Sequence, residues 1–216
     1  MSFILVPGTA VSIASVYGDT KTMSAISNAA EAVATLEASH GVVENDIIEI
    51  TSAWPKADKR VLRADSVATN DVTLEDFDTQ NTNQYPAGTG AGSVREISTW
   101  LALSQLAQDI SAAGGEQQFT NLALLNQDDL IALPTTRSPV TLTIPVYYDP
   151  ALAWLATVRA ARDNKSPVAV KMSFPSGAVL YGNAYWSMND VPSVRDGVLA
   201  TTVQLTFAAQ PAVYAG

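Results

Sequence analysis

Apolar positions along this chain fall mostly in short runs of about four to eight residues, separated by Gly, Pro, Asn and Asp, a pattern that favours strands over helices. Residues 40–54, "HGVVENDIIEITSAW", place a turn at Glu44–Asp46 between β-branched runs. Residues 60–78, "RVLRADSVATNDVTLEDFD", set Val61, Val67, Val72 and Leu74 around an Asn70–Asp71 turn, so a hairpin is expected. "QQFTNLALL" and "SPVTLTIPVYY" read as further strands, the second with Pro145 at an edge or bulge. "PVAVKMSF" leads through a Pro175-Ser176-Gly177 turn into "AVLYGNAYWSM", and the last strand alternates at Val203, Leu205 and Phe207. Helical spacing is clear once, in residues 149–162. Asp149 is an N-cap, Pro150 stands at the first helical position, and Leu152, Leu155, Ala156 and Arg159 share a face.

Three stretches are less regular. Residues 1–20 are rich in Gly, Ser, Thr and Val, have no helix period, and read as an extended N-terminal arm or edge strand. Phe3, Ile4, Leu5 and Val6 have no partner strand in view, so their burial is expected from a neighbouring chain. Residues 21–39 are ambiguous, because their Ala content favours helix while "AVATLEAS" alternates as a strand would. Residues 79–93, "TQNTNQYPAGTGAGS", form a long Gly-rich loop, expected to be mobile in the monomer and a contact element in an assembly. Residues 100–110 fit helix or strand. Short strands with one flanking helix make a mainly β fold, an antiparallel sandwich or barrel in a single domain over residues 1–216.

Composition narrows the function. The 216 residues contain no cysteine and one histidine, which excludes disulfides, thiol nucleophiles, Cys-ligated metals and any site needing two imidazoles. Twelve basic against 21 acidic residues give a net charge of −9, which opposes binding of nucleic acid by phosphate neutralisation. Only 15% of residues are charged, fewer than the roughly 25% of a typical soluble domain, so much of the surface is expected to be covered by other chains. No apolar stretch is long enough for a membrane span, and the N-terminus lacks the basic region of a secretory signal, so synthesis in the cytoplasm without membrane binding is expected.

No chemical motif survives inspection. The glycines 88, 90 and 92 suggest a phosphate loop, but Val94 stands where the lysine of a P-loop would follow. Asp128-Asp129 and Glu44 with Asp46 read as solvated turn carboxylates, and His40 as a hydrogen-bonded turn residue. Trp54, Trp100, Trp154 and Trp186 are expected as core or interface anchors, with a sugar-binding platform as the competing use. No catalytic residue, cofactor site or metal site is assigned.

An ordered series of segments resembles bacteriophage tail tube proteins, the major tail proteins of long non-contractile, lambda-like siphovirus tails. Residues 40–54 are similar to a His-Gly-x-x-x-x-Asp strand–turn segment of tail proteins, and "TLEDFDTQNTNQYPAGTGAGSVREISTW" to their loop region. "GGEQQF", "LNQDDLIALPTTRSPVTLTI" and "DPALAWLATVRAARDNKSPVAVKMSFPSGAVLYGNAYWSMNDVPS" then follow in the family's order. Glu44-Asn45 depart from the glycine more usual at that turn, and the C-terminal immunoglobulin-like domain of some relatives is expected to be missing.

The resemblance implies a structural virion protein and not an enzyme. Six copies would form a ring, and rings would stack into a tube that conducts the genome during ejection. Partners would be the protein itself, the tape measure, terminator and distal tail proteins, and double-stranded DNA passing without specific binding. Four strands from each of six copies, at about 4.8 Å spacing and about 40° tilt, would close a barrel roughly 48 Å across with a lumen of roughly 38 Å. Interface candidates are Phe3, Ile4, Leu5, Val6, Gln84, Tyr85, Gly88, Gly90 and Gly92. Asp128 and Asp129 are candidates for an acidic lumen wall, since cationic walls would hold DNA by counterion release. A tail terminator ring and a β-sandwich carbohydrate-binding module are the alternatives.

Overall fold

The computed structural model describes residues 8–103, 110–123, 129–195 and 197–215. In chain order its elements are β1 (Ala10–Tyr17), β2 (Lys21–Ile26), β3 (Val33–Leu36), β4 (Ile47–Ser52), β5 (Arg60–Ala68), β6 (Asp71–Leu74), β7 (Gly92–Ala102), β8 (Ser111–Ala113), β9 (Gln117–Leu122), β10 (Ile131–Arg137), β11 (Thr141–Tyr147), α1 (Ala153–Asn164), β12 (Val168–Ser173), β13 (Val179–Met188), β14 (Ser193–Arg195), β15 (Val198–Phe207) and β16 (Ala212–Tyr214). The mainly β class with one flanking helix is as expected from the sequence.

The first half of the chain closes on itself. The strands β2-β3-β6-β5-β4-β7 lie side by side, and β7 also pairs with β2 through Lys21↔Val94, Thr22↔Ser93 and Met23↔Gly92. All six pairings are antiparallel, so the result is a six-stranded barrel with no free edge along its ladder. Local chemistry sets the turns. Val43 donates its N–H to the Asp46 carboxylate at 2.7 Å while Asn45 takes φ 71°. The β5–β6 loop is Thr69–Asn70, one residue earlier than the sequence suggests, because Ala68 pairs with Asp71. Met23, Leu36, Ile48, Ile50, Leu62 and Leu74 fill the interior, and Trp54, Phe77 and Tyr85 join the same cluster. The ambiguous residues 21–39 therefore supply two barrel strands, as the alternation in "AVATLEAS" suggests.

The second half is an open antiparallel sheet, β7-β1-β12-β13-β15-β11-β8, which shares the long strand β7 with the barrel. One face packs against α1 through Val11, Ile13, Leu155, Val158, Val170 and Leu205. The other packs on the outside of the barrel through Ala14, Ile47, Val61, Ile97, Tyr181 and Tyr214. Adjacent residues Ile13 and Ala14, and Val170 and Ala169, serve the two faces alternately, as the two-residue period of a strand requires. Helix, sheet and barrel are thus stacked in that order.

A buried polar network ties the sheet to the barrel. Glu49 accepts from Arg95 at 2.7 Å and from the Asn183 amide at 2.8 Å, while the Arg95 guanidinium lies 4.0 Å from the centre of the Tyr17 ring. The Tyr17 hydroxyl accepts the Ala169 N–H at 2.9 Å, and the Tyr214 hydroxyl accepts the Arg63 N–H at 2.9 Å. Arg63 also forms a bidentate pair with Glu75. Burial pushes the Tyr17 and Tyr214 phenols each up to about 12.

Residues 10–17 are neither a free arm nor an edge strand. They form a strand paired with β12 on one side and β7 on the other, with Val11 and Ile13 fully buried. Their partners lie 80 to 163 residues away in the chain, beyond the reach of local patterns. The helix starts at Ala153, not at Asp149. Asp149 accepts the Ala151 N–H at 3.0 Å, closing a local turn, and Leu152 takes the cap position in extended conformation. Residues 100–102 belong to β7, and residues 104–109 lie outside the described residues.

Candidate assembly surface

The surface with most to explain is the β9–β10 hairpin. It forms a two-stranded sheet of its own, apart from the main sheet, and its side chains are almost all exposed on both faces. Leu122 lies opposite Ile131 and Thr120 opposite Leu133, so Leu122, Ile131 and Leu133 share one face. Phe119, 62% exposed, lies opposite Pro134 on the other. An isolated two-stranded hairpin is marginal in water and leaves strand edges open. The sequence marks residues 117–125 as a strand and leaves 131–137 unassigned, and the apolar positions serve both faces of the hairpin and so point to no single buried side.

At its root the hairpin meets the 79–93 loop. Gln84, Tyr85, Gln117, Thr135, Arg137 and Gln210 are among the residues lining a polar cleft of about 620 Å³ between them. Within the loop the interface candidates separate. Gln84 and Gly88 are exposed. Tyr85 is only 6% exposed and belongs to the barrel core, edge-on to Trp54 at 5.3 Å and to Phe77 at 5.7 Å. The loop is anchored rather than free: the Trp54 indole donates to the Pro86 carbonyl at 2.9 Å, and Asn28 donates to the carbonyls of Thr79 and Tyr85 at 2.8 and 2.9 Å. Gly90 lies against the Trp54 ring, where an added Cβ would come within 3.0 Å of it.

Gly92 stands where β7 pairs with β2 and β4 together, and a Cβ there would fall 1.9 Å from the Thr51 carbonyl oxygen. Gly92→Ala should therefore cost about 3 kcal/mol, since a backbone neighbour cannot swing aside. Gly88→Ala meets nothing within 4 Å and carries only the strain of its φ of 75°, about 1 kcal/mol. Urea midpoints of the two variants should separate clearly, and equal midpoints would show that the barrel seam yields at Gly92.

Asp129 is exposed beside β10; Asp128 and the four residues Phe3, Ile4, Leu5 and Val6 lie outside the described residues. His40 is buried, donating through Nε2 to the Thr69 carbonyl at 2.9 Å while Nδ1 accepts the Val42 N–H at 3.1 Å, so it acts as a turn fastener. Trp54, Trp154 and Trp186 are buried and Trp100 is half-buried against Tyr181, an arrangement that offers no stacking platform. No three acidic or imidazole groups converge to hold a metal among the described residues, and none of the described helices is long and apolar enough to cross a membrane.

No curated protein sequence matches the chain. Among solved structures it is similar to a chain in the cryo-EM structure of the anti-feeding prophage baseplate, at 12% identity over 55% of this chain and 86% of that chain, with a TM-score of 0.38. It is also similar to a chain in the anti-feeding prophage tube-terminating cap, at 11% identity over 49% and 79%, with a TM-score of 0.33. The model of the phage tail tube protein family matches residues 52–216, and the chain belongs to that family.

Proposed function

We propose that this protein is the tube subunit of a long non-contractile phage tail, six copies closing into a ring and rings stacking into the conduit for the genome. The observation that supports this best is the β9–β10 hairpin, a ribbon with apolar residues on both faces and no cover from the described residues of its own chain. Membership of the tail tube family, which makes the chain a structural component of the virion tail, supports the same reading. The low charged fraction suits a surface that is mostly interface. The net charge of −9 on each copy suits a lumen that repels DNA, with Asp128 and Asp129 as its proposed wall residues. Gln84 and Gly88 remain proposed contacts between rings, and Phe3–Val6 between neighbouring copies. Tape measure, terminator and distal tail proteins are the proposed further partners.

The test is electron microscopy of the concentrated purified protein. Six-fold rings stacked into tubes with an acidic lumen are expected. Rings that never stack would favour a terminator role, and a monodisperse monomer at every concentration would overturn the reading.

A further inference from the structure

Besides the hairpin, a second apolar patch is exposed on this chain. Val191, Val194, Val198 and Leu199 lie on and beside the β14–β15 ribbon, with Val191 and Val194 74% and 73% exposed. Val194 pairs directly with Leu199, so these two side chains share a face. The Asp190 carboxylate beside them is already paired, accepting from Arg159 at 3.0 Å and from Arg162 at 2.6 Å. A partner that covers the patch would not have to bury that carboxylate unpaired.

The register of the main sheet fixes where the two patches stand. In the β11–β15 ladder, Thr141 pairs with Thr206 and Tyr147 with Ala200. The hairpin leaves the sheet just before Thr141, where Gly115 donates to the Ser138 carbonyl at 3.0 Å. The β14–β15 ribbon adjoins the other end, where Ser193 pairs with Ala200. Thr141 and Tyr147 are separated by about 20 Å at the usual strand rise. One apolar ribbon therefore stands at each end of the same strand pair.

We propose that the Leu122, Ile131 and Leu133 face of the hairpin docks on the Val194 and Leu199 face of the β14–β15 ribbon of the next copy. This rests on the tube reading and names the contact that would propagate it. A two-fold pairing would join each hairpin to the other copy's ribbon and stop at a dimer, with no free patch left to add a third copy. Joined head to tail instead, the two patches generate a ring or a filament, according to whether the rotation closes. The sizes also match: the named side chains of each face expose on the order of 200 Å². A contact of this size lies at the low end of protein interfaces and holds by repetition around a ring and along a tube.

The absence of cysteine makes the test clean. Leu133→Cys with Val194→Cys, and separately Leu122→Cys with Leu199→Cys, introduce the only thiols at exposed positions. The protein is assembled as for microscopy, treated with a short bismaleimide, and run on a denaturing gel. Most chains of the double variants should migrate as a ladder of trimers and larger species, while each single variant stays monomeric. A dimer from Leu133→Cys or Leu122→Cys alone would show that the hairpin meets another hairpin, and would overturn the proposal. So would tubes visible by microscopy whose double variants yield only monomer, an outcome that leaves the tube reading intact. If the unsubstituted protein makes neither rings nor tubes, the tube reading fails and this contact fails with it.

Discussion

Excising Gln117–Arg137 and joining Glu116 to Ser138 is expected to leave a protein that folds and melts close to its parent but makes no tubes. The ends are already in contact: Gly115 donates to Ser138 and Ser138 donates to Glu116, both at 3.0 Å. The join therefore needs little rearrangement. Almost every described side chain removed is exposed, and none belongs to the three core clusters, so the monomer should change by less than about 1 kcal/mol. A shorter connection even recovers some loop-closure entropy. Assembly is affected far more. Burying on the order of 200 Å² of apolar surface on the docking face of the hairpin contributes about 5 kcal/mol gross at each contact. Every 1.4 kcal/mol lost there is about a tenfold change in affinity. Even after ordering costs, the loss should move assembly beyond any working concentration. Ile131→Lys with Leu133→Lys should reproduce the defect without shortening the chain. Thermal melting with sedimentation and microscopy on the same samples decides it. Full-length tubes from the excised protein would show that the hairpin is not an assembly element.

How far the sequence carried the fold depends on whether the deciding contact is local. The β5–β6 hairpin was legible to within one residue because its turn is written in adjacent residues, and so was the turn where the Asp46 carboxylate holds the Val43 N–H, though that turn leads into β4 and Val42 and Val43 before it form no strand. The fates of His40 and of the buried Trp54, Trp154 and Trp186 were legible for a similar reason, since such residues in a charge-poor β chain are mostly structural. Strand β1 was not: Ser12 pairs with Lys171 and Ala102, and nothing in residues 10–17 signals either partner. Asp149-Pro150 carries a genuine capping signal, but the Asp149 side chain spends it on Ala151, one turn ahead of the helix. The 79–93 loop was read from its glycines as free, whereas Tyr85 inserts into the barrel cluster and Gly90 lies on Trp54. The exposure of the β9–β10 hairpin was likewise invisible, because a run that reads as a strand says nothing about whether its own chain covers it.

Raising the pH from 10 to 12 is expected to withdraw on the order of 5 kcal/mol of stability through two tyrosines, Tyr17 and Tyr214. Both phenols lie between sheet and barrel, and burial raises each from its usual 10.0 to about 12. For Tyr17 the Ala169 N–H and Arg95 oppose the rise, and Glu49 adds to it. For Tyr214 the Arg63 N–H, Arg60 and Arg63 oppose it, and Glu75 adds to it. Below pH 10 both phenols stay protonated whether the chain is folded or not, so their contribution is fully present. Between 10 and 12 the unfolded chain releases these protons while the folded chain retains them, so unfolding gains with each step in pH. Above 12 the contribution is lost. About 2 units at 1.4 kcal/mol each is near 3 kcal/mol per tyrosine. The sum is a large part of the 5–15 kcal/mol that holds a typical domain together. Urea midpoints at pH 8, 10 and 11.5 should therefore stay level at first and then fall steeply, with absorbance at about 295 nm reporting late-ionising phenols until the chain opens. Tyr17→Phe with Tyr214→Phe should cost about 1–3 kcal/mol per site at pH 8, because the Ala169 and Arg63 N–H groups lose their acceptors. The same variant should show a much shallower fall above pH 10. A parent and a double variant that lose stability in parallel through this range would assign the alkaline transition to other groups.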